Sequence, residues 1–296
     1  MPSRSAHPLP FVFWNNQIVP ASEALLPANS PAVRYGLGCF ETLRFDGTNL
    51  RFHQSHTQRL RRACQAQGFD LSLDLGELEE TARTLAQKNR IDHGVARFSV
   101  HPDGDSLATL LLLEPPRPLF FIPAFKLLSA DFPHPGCSPL SAYKPNNYAR
   151  NLCALQQAQV AGYHDAVLCL PEKMAIETSV SNLHFLHRSV LHSPGPETGA
   201  LPGIMREHLL TAAVQLGNSI NPSPIDQRSL PTDAQLFVTN ALIGLRPVIR
   251  WDTLDLPYDP ATLIALREAM GLDDAYLPDF SAHHPFSPST PSLPAQ

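Results

Sequence analysis

The chain has 296 residues, 43% of them hydrophobic and 17% charged, with a formal net charge of −5. Acidic and basic residues are interspersed without a Lys/Arg run, which excludes the electrostatic footprint of a nucleic-acid binder and any attraction to anionic membranes. Five cysteines, odd in number and without a CxxC pair, exclude a disulfide framework and a zinc site of that kind.

The first sixteen or so residues lack the apolar core of a signal peptide, and no apolar run approaches the roughly 18 residues of a membrane span. A cytoplasmic protein without a metal is therefore expected. Phe11 to Trp14 and Gln17 to Val19 flank Asn15-Asn16 and predict a hairpin, because Asn tolerates positive φ. Ser55 to Gly68 and Asp74 to Asn89 predict helices. Leu60, Ala63 and Cys64 lie on one face of the first, and Leu75, Leu78, Ala82, Leu85 and Ala86 form the apolar stripe of the second. Val95 to Val100 and Ala108 to Leu113 predict strands. Residues 1–117 thus form a small N-terminal α+β domain. Pro115, Pro116 and Pro118 mark a linker to a larger domain over 118–275.

In that second unit, Ala124 to Ser129 and Ala166 to Leu170 predict strands. Pro145 suits the first turn of a helix, followed by Tyr148, Leu152, Leu155 and Gln159 at helical spacing. Met174 to Glu177 and Asn182 to Leu186 predict two short strands around a Ser/Thr-rich turn. Gly203 leads into a helix with Leu209, Ala212, Ala213 and Leu216 on one face, and Gln235 to Thr239 forms a last apolar strand. Residues 276–296, rich in Pro and Ser, are expected to be a disordered or draped tail.

Polar groups stand in places where a plain fold has no need of them. Lys144 lies at a loop-to-helix junction. It is either a surface lysine or an amine whose pKa burial and neighbouring charge lower enough for attack on a carbonyl. Glu177 ends an apolar strand, as a solvent-edge carboxylate or as the partner of a protonated ring nitrogen. Leu201-Pro202-Gly203 before Ile204, Met205 and Arg206 is either an ordinary turn or a helix start whose free N–H groups hold phosphate. Arg59 is a planar fork suited to an oxyanion, or part of a solvated basic face with Arg61 and Arg62. His184 and His187 are expected to be structural or exposed.

The order of these landmarks carries a resemblance. Tyr35 to Arg44 (YGLGCFETLR), His56-Thr57-Gln58-Arg59-Leu60, Lys144-Pro145-Asn146-Asn147-Tyr148, Glu177 to Asn182 (ETSVSN), Leu201 to Arg206 (LPGIMR) and Phe237 to Leu242 (FVTNAL) follow one another as in the class IV pyridoxal-phosphate enzymes. The resemblance implies a two-domain chain of fold type IV, α+β or α/β and similar to D-amino-acid aminotransferase. It also implies pyridoxal 5'-phosphate as cofactor, a small-molecule amine as substrate and a homodimer. Lys144 resembles the lysine that binds the cofactor and moves protons. Glu177 resembles the acid at the ring nitrogen. Arg59, Ile204, Met205, Asn240 and Ala241 resemble the phosphate-binding set. Ala241 stands where aminotransferases of branched-chain or D-amino acids carry a hydroxyl residue. Together with the Asn240-Ala241-Leu242 triplet and the short Lys144–Tyr148 spacing, it makes the chain look most like aminodeoxychorismate lyase, which forms 4-aminobenzoate and pyruvate in folate precursor synthesis. An aminotransferase is the alternative.

Overall fold

The N-terminal hairpin forms as its turn residues dictate. Strands β1 (Phe11–Trp14) and β2 (Gln17–Pro20) pair antiparallel with Trp14 opposite Gln17. Asn15 and Asn16 adopt φ of 45° and 66°, the positive pair of a two-residue turn. The structure, a computed structural model, describes residues 9–71, 75–272 and 276. Helix α1 (Pro31–Tyr35) starts at Ser30, whose hydroxyl accepts the Val33 N–H, and ends at Gly36 in the left-handed region. Strand β3 (Cys39–Phe45) leads to α2 (His53–Ala66) and α3 (Leu75–Asn89). Strands β4 (Gly94–Asp103) and β5 (Ser106–Glu114) complete a five-stranded sheet of order β2-β1-β5-β4-β3.

The two helices cover this sheet with the stripes the spacing predicts. Leu60, Ala63, Cys64, Leu78, Ala82, Leu85 and Ala86 pack on Leu43, Phe98 and Leu111. The side chain of Leu75 and the start at Asp74 lie outside the described residues.

The chain then builds a second sheet from β6 (Phe125–Ser129), α4 (Ala149–Val160), β7 (Asp165–Cys169), β8 (Met174–Thr178), β9 (Asn182–His187) and β10 (Val190–His192). It continues with α5 (Ile204–Gln215), β11 (Ser219–Asn221), β12 (Ile225–Asp226), β13 (Gln235–Asn240), β14 (Gly244–Trp251), β15 (Leu254–Asp255) and α6 (Pro260–Ala269). The order is β11-β10-β9-β13-β14-β6-β7-β8-β12, with β15 on β14. Strand β6 runs parallel to both neighbours, β14 and β7, while β8, β9, β13 and β14 form antiparallel ladders. The fold is α+β, with a mixed second sheet.

Several local expectations fail for identifiable reasons. Pro145 does not open a helix: it bridges Cys39 in extended pairing, and α4 begins four residues later at Ala149. Helix α4 buries Ala154 and Ala158, both 0% exposed, whereas Leu152 is 47% exposed. Two alanines bring the helix axis close to β7, and no space remains on that face for leucine. Leu216 lies beyond the end of α5 and is exposed. Strand β14 and helix α6 were not expected. Pro247 inside β14 reads as a breaker, yet it sits opposite Phe237 ahead of the first residue paired to β6. Cys39 and Cys64 are buried, whereas Cys137 and Cys153 are exposed. The tail expected from Tyr276 onward lies outside the described residues except for Tyr276 itself. Among the described residues no helix is long and apolar enough to cross a membrane, and no cluster of three His, Cys, Asp or Glu could hold a metal.

Candidate active site

Lys144 is held by the first sheet although it belongs to the second half of the chain. Phe40 N–H donates to the Lys144 carbonyl at 3.0 Å, and Asn146 N–H donates to the Gly38 carbonyl at 3.0 Å. This close approach requires glycine at 38. Its φ is 111°, and a Cβ there would collide with the Val100 carbonyl and the Asn146 amide. The Lys144 ammonium lies 4.9 Å from the Phe40 ring centre and 4.6 Å from that of Tyr148. Nζ donates to Tyr148 Oη at 3.2 Å, and Oη donates to the Ser179 carbonyl at 3.0 Å. Burial lowers the Lys144 amine to about 8, helped by Arg59 and Arg97 and opposed by Glu41 and Glu177.

Glu177 stands next to the end of β8, within reach of the Lys144 charge. Its Oε2 accepts the Leu201 N–H at 2.9 Å, and its Oε1 lies 3.6 Å from His134 Nε2. Burial raises its carboxyl to about 7, against the Leu201 N–H and the charge of Lys144. Beneath it the buried Asp165 fixes the turn. It accepts bonds from the hydroxyls of Thr178 and Ser179 and from the Ala166 N–H.

Arg59 reaches the site from α2. Glu41 on β3 receives it bidentately, from Nε at 2.8 Å and Nη2 at 2.7 Å, and Glu41 Oε2 also lies 2.7 Å from His56 Nδ1. Burial opposes ionisation of Glu41, but Arg59 and His56 overcome it and hold the carboxyl at about 2. Arg59 Nη1 donates to the Pro202 carbonyl at 2.7 Å, which brings the guanidinium to the start of α5. Gly203 caps that helix without any side-chain bond, so the first N–H groups of α5, at Ile204 and Met205, are free for a ligand. A Cβ at Gly203 would collide with Asn182 Oδ1, and Asn182 Nδ2 in turn holds the Leu201 carbonyl at 2.9 Å.

Asn240 ends β13 beside Ser181, and Ala241 follows it. The Asn240 amide donates to Ser181 Oγ at 3.1 Å and to the Val180 carbonyl at 3.3 Å, and its Oδ1 accepts the N–H groups of Leu242 and Ile243. Thr239 Oγ1 is bonded to His184 Nε2 at 2.9 Å. His184, bonded also to Ser193, is a buried structural residue; His187 pairs with Asp233.

Arg59 at the start of α5, the amine of Lys144 and the carboxylate of Glu177 therefore lie within electrostatic reach of one another and make one candidate site. A phosphorylated pyridine carries a phosphate, an aldehyde and a ring nitrogen, and the donor set fits those groups one to one. The family model for amino-transferase class IV matches residues 38–251. The chain belongs to the class IV aminotransferases.

A branched-chain-amino-acid aminotransferase of Salmonella typhimurium is 24% identical over 259 residues, covering 80% of this chain and 84% of that protein. Among solved structures, a branched-chain aminotransferase from Thermoproteus uzoniensis with norvaline superposes with TM-score 0.77 at 23% identity, covering 90% of this chain and 97% of the other. A hypothetical aminotransferase from Mycobacterium tuberculosis in its PLP-bound form gives 0.74 at 19%, covering 88% and 97%. At such identities the structural likeness establishes the fold.

Of the residues singled out in the sequence of this class IV chain, Arg59, Lys144 and Glu177 lie close enough for their charges to act on one another, and Arg59 reaches the Pro202 carbonyl before α5; His187 lies elsewhere, paired with Asp233. Sequence reasoning assigned no role to Glu41, His56, Tyr148, Arg97 or His134. His56 and Arg59 stand three apart on one helix face, a spacing that signals a shared buried partner. Arg97 on β4 places its guanidinium 3.7 Å from the Phe40 ring centre, and among the described residues it forms no ion pair. Arg61 and Arg62, by contrast, sit on the more open face of α2.

Proposed function

We propose that this protein binds pyridoxal phosphate at Lys144 and transfers the amino group of a small amino acid with an apolar side chain to a keto acid. The observation that supports this reading is the Lys144 amine lying within reach of the charges of Glu177, Arg59 and Arg97, with Arg97 stacked over the Phe40 ring. Arg97 offers a cation to one substrate carboxylate, and the rings of Phe40 and Tyr148 offer an apolar wall. The branched-chain aminotransferases among its relatives support the same substrate class.

Bound in the cleft, pyridoxal phosphate supplies an aldehyde and an electron-withdrawing ring. Arg59 and the Ile204 and Met205 N–H groups would hold its phosphate. Glu177 accepts a hydrogen bond from a protonated ring nitrogen. Lys144 Nζ takes a proton from the amine-bearing carbon of the substrate and returns it during the cycle. Its lowered pKa leaves a fraction of the amine neutral at pH 7. Tyr148 orients that amine by accepting from Nζ.

Attachment of the cofactor requires the neutral amine of Lys144. The rate of reconstitution from added pyridoxal phosphate is expected to fall about tenfold per pH unit below about 8 and to level off above it. Stopped-flow absorbance checks this; a rate independent of pH between 6 and 9 contradicts it.

A second reading, lysis of 4-amino-4-deoxychorismate to 4-aminobenzoate and pyruvate, is favoured by one specific feature. Ala241 lacks a hydroxyl, and the Asn240 side chain is committed to Ser181 and the following backbone. The early proton chemistry of Lys144 is common to both readings, so products decide. Turnover that depends strictly on a keto acid supports transamination. Release of pyruvate and 4-aminobenzoate without a keto acid supports the lyase and overturns our first reading.

We propose further that the two sheets with their helices are two domains joined at the Pro115–Pro118 segment, and that the protein acts in the cytoplasm as a homodimer. Val33, Tyr35, Leu37 and Leu140 are large apolar residues exposed in the single chain, as expected of a surface that a second copy covers.

A further inference from the structure

His134 lies in the Pro133-His134-Pro135-Gly136 turn after β6. Its main-chain N–H donates to the Cys169 carbonyl at 2.6 Å, which ties the turn to the end of β7. Its ring nitrogen Nδ1 accepts the Gly136 N–H at 3.0 Å. A neutral imidazole nitrogen that accepts carries no proton, so the proton resides on Nε2. Nε2 points at Glu177 Oε1 from 3.6 Å, just outside hydrogen-bond range, while the Leu201 N–H holds Oε2. Each oxygen of the carboxylate thus faces its own uncharged N–H.

We propose that His134 is a positioning residue that acts through Glu177: a neutral donor, fixed in one tautomer, that favours the ionised carboxylate where it meets the ring nitrogen. This rests on the cofactor reading above. The other charged groups around the pair are consistent with such a role. Lys144 favours the carboxylate of Glu177, and Asp165 opposes it. The Tyr148 phenol stays protonated, its pKa raised by burial. On the other side, burial and Arg150 lower the His134 imidazole to about 4. His134 therefore does not titrate across the range in which Glu177 and Lys144 do. A permanent cation in its place would act on Lys144 as well; a neutral N–H acts on the carboxylate it faces.

The test follows the ionisation of Glu177 by infrared difference spectroscopy on the full chain freed of cofactor, with Glu177→Gln to identify the band. His134→Ala is expected to raise the Glu177 midpoint by about one pH unit, a tenfold increase in proton affinity. His134→Asn keeps an acceptor for the Gly136 N–H but loses the distal donor. It should show the same rise, and it serves where the alanine variant fails to fold. His134→Gln, which restores a distal N–H, should return the midpoint toward wild type. An unchanged midpoint in His134→Asn overturns the proposal. Added pyridoxal phosphate then separates the two ideas. A shifted midpoint without a visible cofactor band in wild type keeps the His134–Glu177 coupling and removes the cofactor reading. A cofactor band with an unshifted midpoint does the reverse.

Discussion

Lys144→Ala is expected to abolish covalent attachment of pyridoxal phosphate and to lower turnover by about three orders of magnitude, within the range of about 10²–10⁴ that positioned acid–base groups contribute. The loss combines two roles, because the residue that captures the aldehyde also moves the substrate proton. Lys144→Arg is expected to be no better, since a guanidinium stays protonated above pH 12 and cannot serve as a nucleophile. A small amine such as methylamine, added in solution, should restore part of the proton transfer in the alanine variant. Borohydride treatment followed by mass measurement checks the attachment. A reduced cofactor adduct retained in Lys144→Ala would place the chemistry on another residue.

Arg59→Ala has the largest expected effect on folding. It leaves Glu41, 2% exposed, with only His56 as a partner. Breaking a buried ion pair from one side costs about 3–5 kcal/mol. The sign with pH follows from the depressed Glu41 carboxyl. In the wild type its stabilisation is present above the ordinary carboxylate pKa near 4.5 and is lost as pH falls toward about 2. In the variant, protonation relieves an unpaired buried charge. The gap between the two proteins is therefore largest near neutral pH and shrinks in acid. Denaturant unfolding at several pH values measures it. A gap that is small at pH 7 or that grows on acidification would show that Glu41 does not depend on Arg59. Glu41→Gln combined with Arg59→Ala should recover much of the loss. Cofactor affinity should stay low, because the Pro202 end of the cleft still lacks its cation.

The site was legible where the chain itself writes the chemistry. The Asn15-Asn16 turn, the helix stripes at Leu60 and Leu85, and the Gly203 helix start each follow from local rules, and the fold observes them. Lys144 and Glu177 stand out as candidates only through their order along the chain; no local rule marks them. Glu41 shows what local reading misses. It shares the inward face of β3 with Cys39, Leu43 and Phe45, so alternation points it into the interior, but only the approach of Arg59 and His56 from α2 shows what pairs it there. Pro145 shows a rule that a tertiary contact overrides, because the pairing of Cys39 pulls the segment straight before α4 can begin. His134 has a signal only in its flanking prolines, which fix a turn but do not say what the turn aims at.

The position of β6 has a consequence for the order in which the chain assembles during synthesis. Every strand of the first sheet precedes Pro115, so that sheet can close early on local and medium-range contacts. Strand β6 emerges next, yet one of its two partners, β14, ends at Trp251. Until that point the strand bearing Lys126 and Leu127 keeps an unpaired edge, open to pairing with another nascent chain. Fragments released before Trp251 are therefore the ones that should aggregate. Slow, non-local closure of the second sheet sets the pace at which the cleft becomes able to hold its cofactor.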